Sequence, residues 1–208
     1  MTLKENAAYF AQARVLPVLT PISAASGTAI SRVLFDAGLR MQEITLRNPS
    51  GLETIVAIKR EIPGLIIGAG SVLTPDMGEA AIQAGARFLV SPGTNDVLLQ
   101  YAVRCRVPFL PGVATVSEVM RVLDSGCTAA KLFPAAALGG ITFIRSVLGP
   151  LPFMKFCPTG GIDAALAPDY LQLDNVLAVG GSWMAPNDLI AANRFGDIRR
   201  LAEQAARL

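Results

Sequence analysis

The chain is 208 residues long and 52% hydrophobic, which suits one soluble domain with a large core. Its net charge is only +2, and the 14 arginines and 4 lysines are scattered mostly singly, so no basic stripe marks a nucleic-acid partner. No histidine is present, which excludes His-based triads, His general bases and the usual His-containing zinc sites.

The first residues, Met1 to Asn6, lack the charged-then-apolar order of a signal peptide. Apolar runs are cut by Gly, Pro or a charge before membrane-spanning length, so no membrane partner is expected. Strands are predicted at Val15–Thr20, Met41–Thr45, Leu65–Ala69, Arg87–Ser91, Val107–Leu110, Ala129–Phe133, Met154–Cys157 and Val176–Val179. Helical patterns lie between them at Thr28–Ala37, Gly51–Glu61, Pro75–Ala84, Asp96–Arg104, Val116–Ser125 and Ile141–Leu148, with a last one at Asp188–Leu208. Gly38, Gly85 and Gly126 follow three of these helices and suit glycine C-caps. Cys105, Cys127 and Cys157 are odd in number and form no CxxC, so they read as reduced, buried thiols of a cytoplasmic protein. Eight strands alternating with helical patterns predict an α/β fold: a (β/α)8 TIM barrel forming a single domain over 1–208. The alternative, an open doubly wound sheet, would favour a GxGxxG in the first βα unit, and none is there.

In such a barrel the active site lies at the C-terminal strand ends, and polar residues collect there. On strand two, alternation puts Glu43, Thr45 and Arg47 on one face and Ile44 and Leu46 on the other. Either Glu43 and Arg47 form a structural ion pair, or Glu43 is a general acid/base and Arg47 a bidentate carboxylate clamp. Strand three runs into Gly68-Ala69-Gly70-Ser71, where Ser71 offers a hydroxyl and Thr74 with Pro75 starts the next helix. Pro92 and Pro111 sit in tight turns that supply shape rather than chemistry.

Strand six holds Lys131 in the apolar run Ala129-Ala130-Lys131-Leu132-Phe133-Pro134. Burial penalises an ammonium, and a neutral amine can form a Schiff base with a carbonyl. The plainer reading is a lysine that snorkels outward or pairs with a core carboxylate. Lys4 precedes the first strand, Lys59 adjoins Arg60 on a polar helix face, and Lys155 starts well before a strand end, so Lys131 is the Schiff-base candidate. The last two strands end in Thr159-Gly160-Gly161 and Gly180-Gly181-Ser182, where barrels build phosphate sites from backbone N–H groups, although tight packing at the rim also explains such glycines.

Taken in order, Glu43-Ile44-Thr45-Leu46-Arg47, Gly68 to Leu73, Ser91-Pro92-Gly93, Lys131 to Ala135, Cys157 to Ile162 and Gly180-Gly181-Ser182-Trp183 resemble the 2-keto-3-deoxy-6-phosphogluconate (KDPG) and 4-hydroxy-2-oxoglutarate (KHG) aldolases. The resemblance spans nearly the whole chain. It implies a homotrimeric, metal-independent aldolase without cofactor that acts on a phosphorylated 2-keto acid. By that resemblance Lys131 is the Schiff-base lysine and Glu43 the acid/base. Arg47 and Ser71 hold the pyruvyl carboxylate, Gly161 and Ser182 hold the phosphate, and Pro92, Phe133, Thr159, Gly160 and Gly181 complete the substrate site. Two departures stand out: Ser71 replaces a frequent Thr, and Ala136 follows the Phe-Pro-Ala motif where Glu is common. The alternatives are an aldolase for the galactonate-derived epimer, an isomerase or transferase on the same barrel, and a non-catalytic phosphosugar-binding barrel.

Overall fold

The structure, a computed structural model, describes residues 5–208. Expectations for Met1 to Lys4, including the place of Lys4, lie outside the described residues. The fold is α/β with parallel strands. Strands β1 (Val15–Leu19), β2 (Met41–Thr45), β3 (Ile66–Gly70), β4 (Leu89–Val90), β5 (Phe109–Leu110) and β9 (Val179–Gly181) form one sheet in the order β5-β4-β3-β2-β1-β9. Strands β6 (Gly112–Val113), β7 (Ala129–Leu132) and β8 (Lys155–Phe156) form a second group, ordered β6-β7-β8. Single parallel bridges, Phe156 with Val176 and Thr159 with Gly180, connect the second group to the chain around β9.

The strands alternate their side chains between two apolar clusters, as a period-two backbone requires. Ile44, Ile67, Leu89, Phe109, Leu132 and Phe156 join the larger cluster, which includes helix residues such as Ile30, Leu34, Ile55 and Ile58. Leu16, Met41, Phe88, Val90, Leu110, Ala129 and Cys157 form the smaller cluster on the opposite strand face, joined by Phe10. Glu43 and Lys131 keep the parity of Met41 and Ala129, so both carry charge into the smaller, inner set.

Helices α2 (Ala24–Asp36), α3 (Ser50–Glu61), α4 (Pro75–Ala84), α5 (Asp96–Cys105), α6 (Val116–Asp124) and α7 (Gly140–Leu148) lie close to the predicted spans. The expected glycine stops hold. Gly38, Gly85 and Gly126 have φ of 104°, 118° and 84°, and the next residues, Leu39, Ala86 and Cys127, donate backbone bonds five residues back. Thr74 accepts from Met77 N at the start of α4, with Pro75 in the first turn.

Several boundaries differ from the sequence expectation. Helix α2 begins at Ala24, because Ser23 caps it by accepting from Ser26 N. The predicted fifth strand, Val107–Leu110, is shortened to Phe109–Leu110, and an unpredicted strand, β6, follows Pro111, whose missing N–H interrupts the ladder while its carbonyl still accepts from Lys131 N. The last strand is Val179–Gly181, with Val176 forming only a bridge. The predicted C-terminal helix is two, α9 (Asn187–Ala191) and α10 (Phe195–Ala206), separated where Asn193 turns left-handed at φ 52°. Two short helices, α1 (Asn6–Phe10) and α8 (Ala167–Leu171), have no counterpart in the sequence reading. No described helix is long and apolar enough to cross a membrane.

Candidate active site

Lys131 Nζ lies 3.2 and 3.3 Å from the two carboxylate oxygens of Glu43, and the residues are 5% and 1% exposed. The plainer reading of Lys131, a partner for a core carboxylate, is therefore correct in its geometry. Two opposite charges at this depth offset each other's desolvation, but an ion pair inside a core contributes little net stability. Such a pair needs another reason to be there. Backbone supplies the room: β2 and β3 pair Glu43 with Gly68 and Thr45 with Gly70. A Cβ at Gly70 would collide with the Glu43 carboxylate, and one at Gly68 with the Phe88 ring.

Above this pair a cavity of about 620 Å³ opens at the C-terminal strand ends. Arg47, Phe133, Thr159, Gly160, Gly161, Gly181 and Ser182 line it, which brings seven predicted residues from four strand ends together. Lys131, Glu43 and Ser71 are one contact away. Lys131 Nζ is 5.5 Å from the centroid of the Phe133 ring, and Arg47 Nε donates to Ser71 Oγ at 3.2 Å. Ser71 holds φ at 59°, a left-handed conformation that costs a branched side chain more than serine. Pro92 is not among the lining residues. It acts through shape, since its backbone occupies the space a Cβ at Gly112 would need. Of the other lysines, Lys59 is exposed, and Lys155 donates to Asp174 O at 2.9 Å from the start of β8.

The rim by β8 and β9 is built from amides. Gly160 and Gly161 have φ of 98° and 75°. Among the described residues, no protein acceptor takes the N–H groups of Gly160, Gly161, Ile162 and Ser182. Backbone donors left unpaired beside a cavity are a ready anion cradle. Ala136, exposed on the neighbouring turn, lies where a Cβ at Gly161 would meet it.

Three features escaped the sequence reading. Thr20, at the end of β1, lines the cavity and accepts from Thr45 Oγ1 at 2.9 Å; the strand-end rule applied to β1 would have found it. Ser26 on α2 and Asn187 on α9 also line the cavity, and only the folded arrangement brings them there. Cys157 belongs to the inner cluster, where burial pushes its thiol up to about 12, against the opposing pull of Lys131. Among the described residues, no group of three His, Cys, Asp or Glu is placed to hold a metal ion.

Comparison with known proteins gives one answer. The family described as "Aldolase: KDPG and KHG aldolase" matches residues 7–201. The KHG/KDPG aldolase of Escherichia coli K12 is 40% identical over 191 residues, covering 92% of this chain and 90% of that protein. The 2-dehydro-3-deoxy-phosphogluconate aldolase of Pseudomonas aeruginosa is 42% identical over 194 residues, covering 93% and 88%. Among solved structures, the Legionella pneumophila KDPG aldolase superposes with a TM-score of 0.92 at 38% identity, covering 95% of this chain and 96% of that one. That crystal holds pyruvate captured at low pH as a covalent carbinolamine.

Proposed function

The chain belongs to the KDPG and KHG aldolase family, and from that premise we propose that Lys131 is the nucleophile of its metal-independent aldol cleavage. The enzyme is a carbon–carbon lyase that cleaves 2-dehydro-3-deoxy-6-phosphogluconate to pyruvate and glyceraldehyde 3-phosphate. It also takes 4-hydroxy-2-oxoglutarate, giving pyruvate and glyoxylate. The observation that carries the reading is the buried Lys131–Glu43 pair beneath a cavity with a guanidinium on one side and free amides on the other.

The chemistry follows from those positions. Glu43, at 3.2 Å, is the acceptor for the proton Lys131 must lose before its amine adds to the C2 ketone. Glu43 returns that proton to the departing C2 hydroxyl, and loss of water from the carbinolamine leaves an iminium, which draws electrons as the C3–C4 bond breaks. Glu43 takes the C4 hydroxyl proton, then delivers a proton to C3 of the pyruvate enamine. Hydrolysis frees pyruvate and restores the amine. Arg47, held through Ser71, clamps the pyruvyl carboxylate, and the amides of Gly161 and Ser182 receive the phosphate. The carbinolamine in the Legionella relative is the intermediate this sequence of steps requires.

The same reading extends to the scaffold. The strands close into a single-domain (β/α)8 barrel; β5 and β6 are separated by Pro111 alone, and the bridges from Phe156 and Thr159 lead back to β9, which supports closure. We read the protein as a cytoplasmic homotrimer, which light scattering tests against the 21.8 kDa chain mass. The decisive experiment on the chemistry is borohydride reduction in the presence of pyruvate, followed by peptide mapping. The adduct is expected on Lys131 and is lost in Lys131→Arg. An adduct on Lys155 or Lys59, or none, removes the assignment.

A further inference from the structure

The cavity does not end at the amide cradle. It continues between α2 and α9, where Ile22, Ile30, Ala185, Ile190 and Ala191 make the wall. Ser26 and Asn187 are the polar side chains of this lobe, and neither side chain has a bonding partner among the described residues. Among the described residues Arg47 is the one charged side chain in the lining, and the proposed mechanism places it at the pyruvyl end. The remote end of the site is therefore electrically neutral in its side chains, and most of its surface is hydrocarbon.

The unpaired amides of Gly161 and Ser182 belong to the turns after β8 and β9, whereas this wall is built by α2, α9 and the residues just before them. An apolar chain leaving C4 would meet the same opening and have hydrocarbon to cover it. We propose that the α2–α9 lobe is a second specificity site, which admits 4-hydroxy-2-oxo acids bearing an apolar carbon tail and releases the matching aliphatic aldehyde. The proposal rests on Lys131 acting as above. Cleavage of 4-hydroxy-2-oxononanoate, for example, breaks C3–C4 in the Lys131 iminium. The C4 hydroxyl proton passes to Glu43 as hexanal leaves, the proton is delivered to C3 of the enamine, and water hydrolyses the resulting iminium to pyruvate and the free Lys131 amine. No oxidant or co-reactant is needed.

The test compares 4-hydroxy-2-oxononanoate with 4-hydroxy-2-oxoglutarate, whose short tail does not reach the lobe. Wild-type enzyme is expected to cleave both with kcat/KM within about tenfold of each other. Ser26→Phe and Ala191→Phe fill the lobe from its two walls, and both positions are outside the fully buried core. Each is expected to lower kcat/KM for the nonanoate at least tenfold, about 1.4 kcal/mol, and to leave the oxoglutarate within twofold. Pyruvate methyl exchange with D2O, read on all three proteins, reports the Lys131 chemistry by itself. Normal exchange with no nonanoate cleavage overturns the lobe and spares the aldolase reading. So does cleavage that neither variant impairs. Absence of exchange in the wild type overturns both.

Discussion

At the residue scale, the proposed mechanism depends on one buried pair. Glu43 touches Lys131 with both oxygens, and in the proposed mechanism that single contact serves two steps, deprotonating the amine and moving the substrate proton. Glu43→Gln keeps the shape and a hydrogen-bonding group but removes the base. Proton transfer of this type typically contributes about two to four orders of magnitude. Pyruvate methyl exchange with D2O is expected to fall by that range in the variant; exchange at the wild-type rate would take Glu43 out of the mechanism. The cysteines give a second residue-level expectation. Burial raises the thiols of Cys127 and Cys157, the latter to about 12, so both stay protonated well above neutral pH. The thiolate is the reactive form, so iodoacetamide at mildly alkaline pH should modify the part-exposed Cys105 in the native enzyme and spare the other two. Carboxymethylated Cys157 from folded protein would mean the inner cluster opens far more readily than its burial implies.

At the element scale, glycines at chosen strand positions decide what the neighbouring strand can hold. Gly70→Ala would drive a methyl group into the Glu43 carboxylate, so kcat is expected to fall by more than tenfold while helix content by circular dichroism is retained. The turn after β8 makes a sharper case. Gly161 sits at φ 75° with an amide that no described acceptor takes, and the proposed mechanism gives that amide the substrate's remote phosphate. Charge-assisted hydrogen bonds are worth roughly 1.5–3 kcal/mol each. Gly161→Leu should therefore reduce kcat/KM for the phosphorylated substrate by at least about two orders of magnitude and affect hydroxyoxoglutarate much less. Equal loss on both substrates would make the turn a folding element. These elements differ in how far the sequence announces them. Helix α4 is legible to the residue, since Thr74, Pro75 and Gly85 mark both ends by local chemistry. The division of the C-terminal helix is not, because Asn193 stops it without the glycine that follows α2, α4 and α6. The inward placement of Glu43 and Lys131 follows from strand parity alone. Their contact joins residues 88 apart in the chain, and local pattern carries no information about such a distance. The α2–α9 lobe is still less legible, being the space left between two helices.

At the scale of the whole molecule, the two ends of the strand set do different work. The C-terminal ends carry the cavity, left-handed backbone and unpaired amides. The N-terminal ends are closed by α1 with ordinary packing. Phe10, 2% exposed, meets Phe88 edge-on at 5.4 Å, and Asn6 Nδ2 donates to Phe109 O at 2.6 Å. The absence of histidine and of any described three-residue ligand cluster adds a molecule-wide expectation: activity should survive prolonged dialysis against EDTA. Loss that one divalent ion restores would favour metal-dependent chemistry. If the strand ends are as separate in energy as they are in space, stability can be removed from one without disturbing chemistry at the other. Phe10→Ala tests this. Truncating a buried phenylalanine costs about 3–5 kcal/mol, and a protein of this size loses roughly 2–4 °C of Tm per kcal/mol. The melting temperature is therefore expected to fall by roughly 6–20 °C. At 25 °C, kcat/KM for the phosphorylated substrate should stay within twofold of wild type. A variant that keeps its Tm would mean α1 does not close the inner cluster. A variant that stays folded at 25 °C yet loses most of its activity would mean that packing at Phe88 is transmitted along the strands to Glu43, which the Phe88 ring approaches across Gly68 on the strand between them.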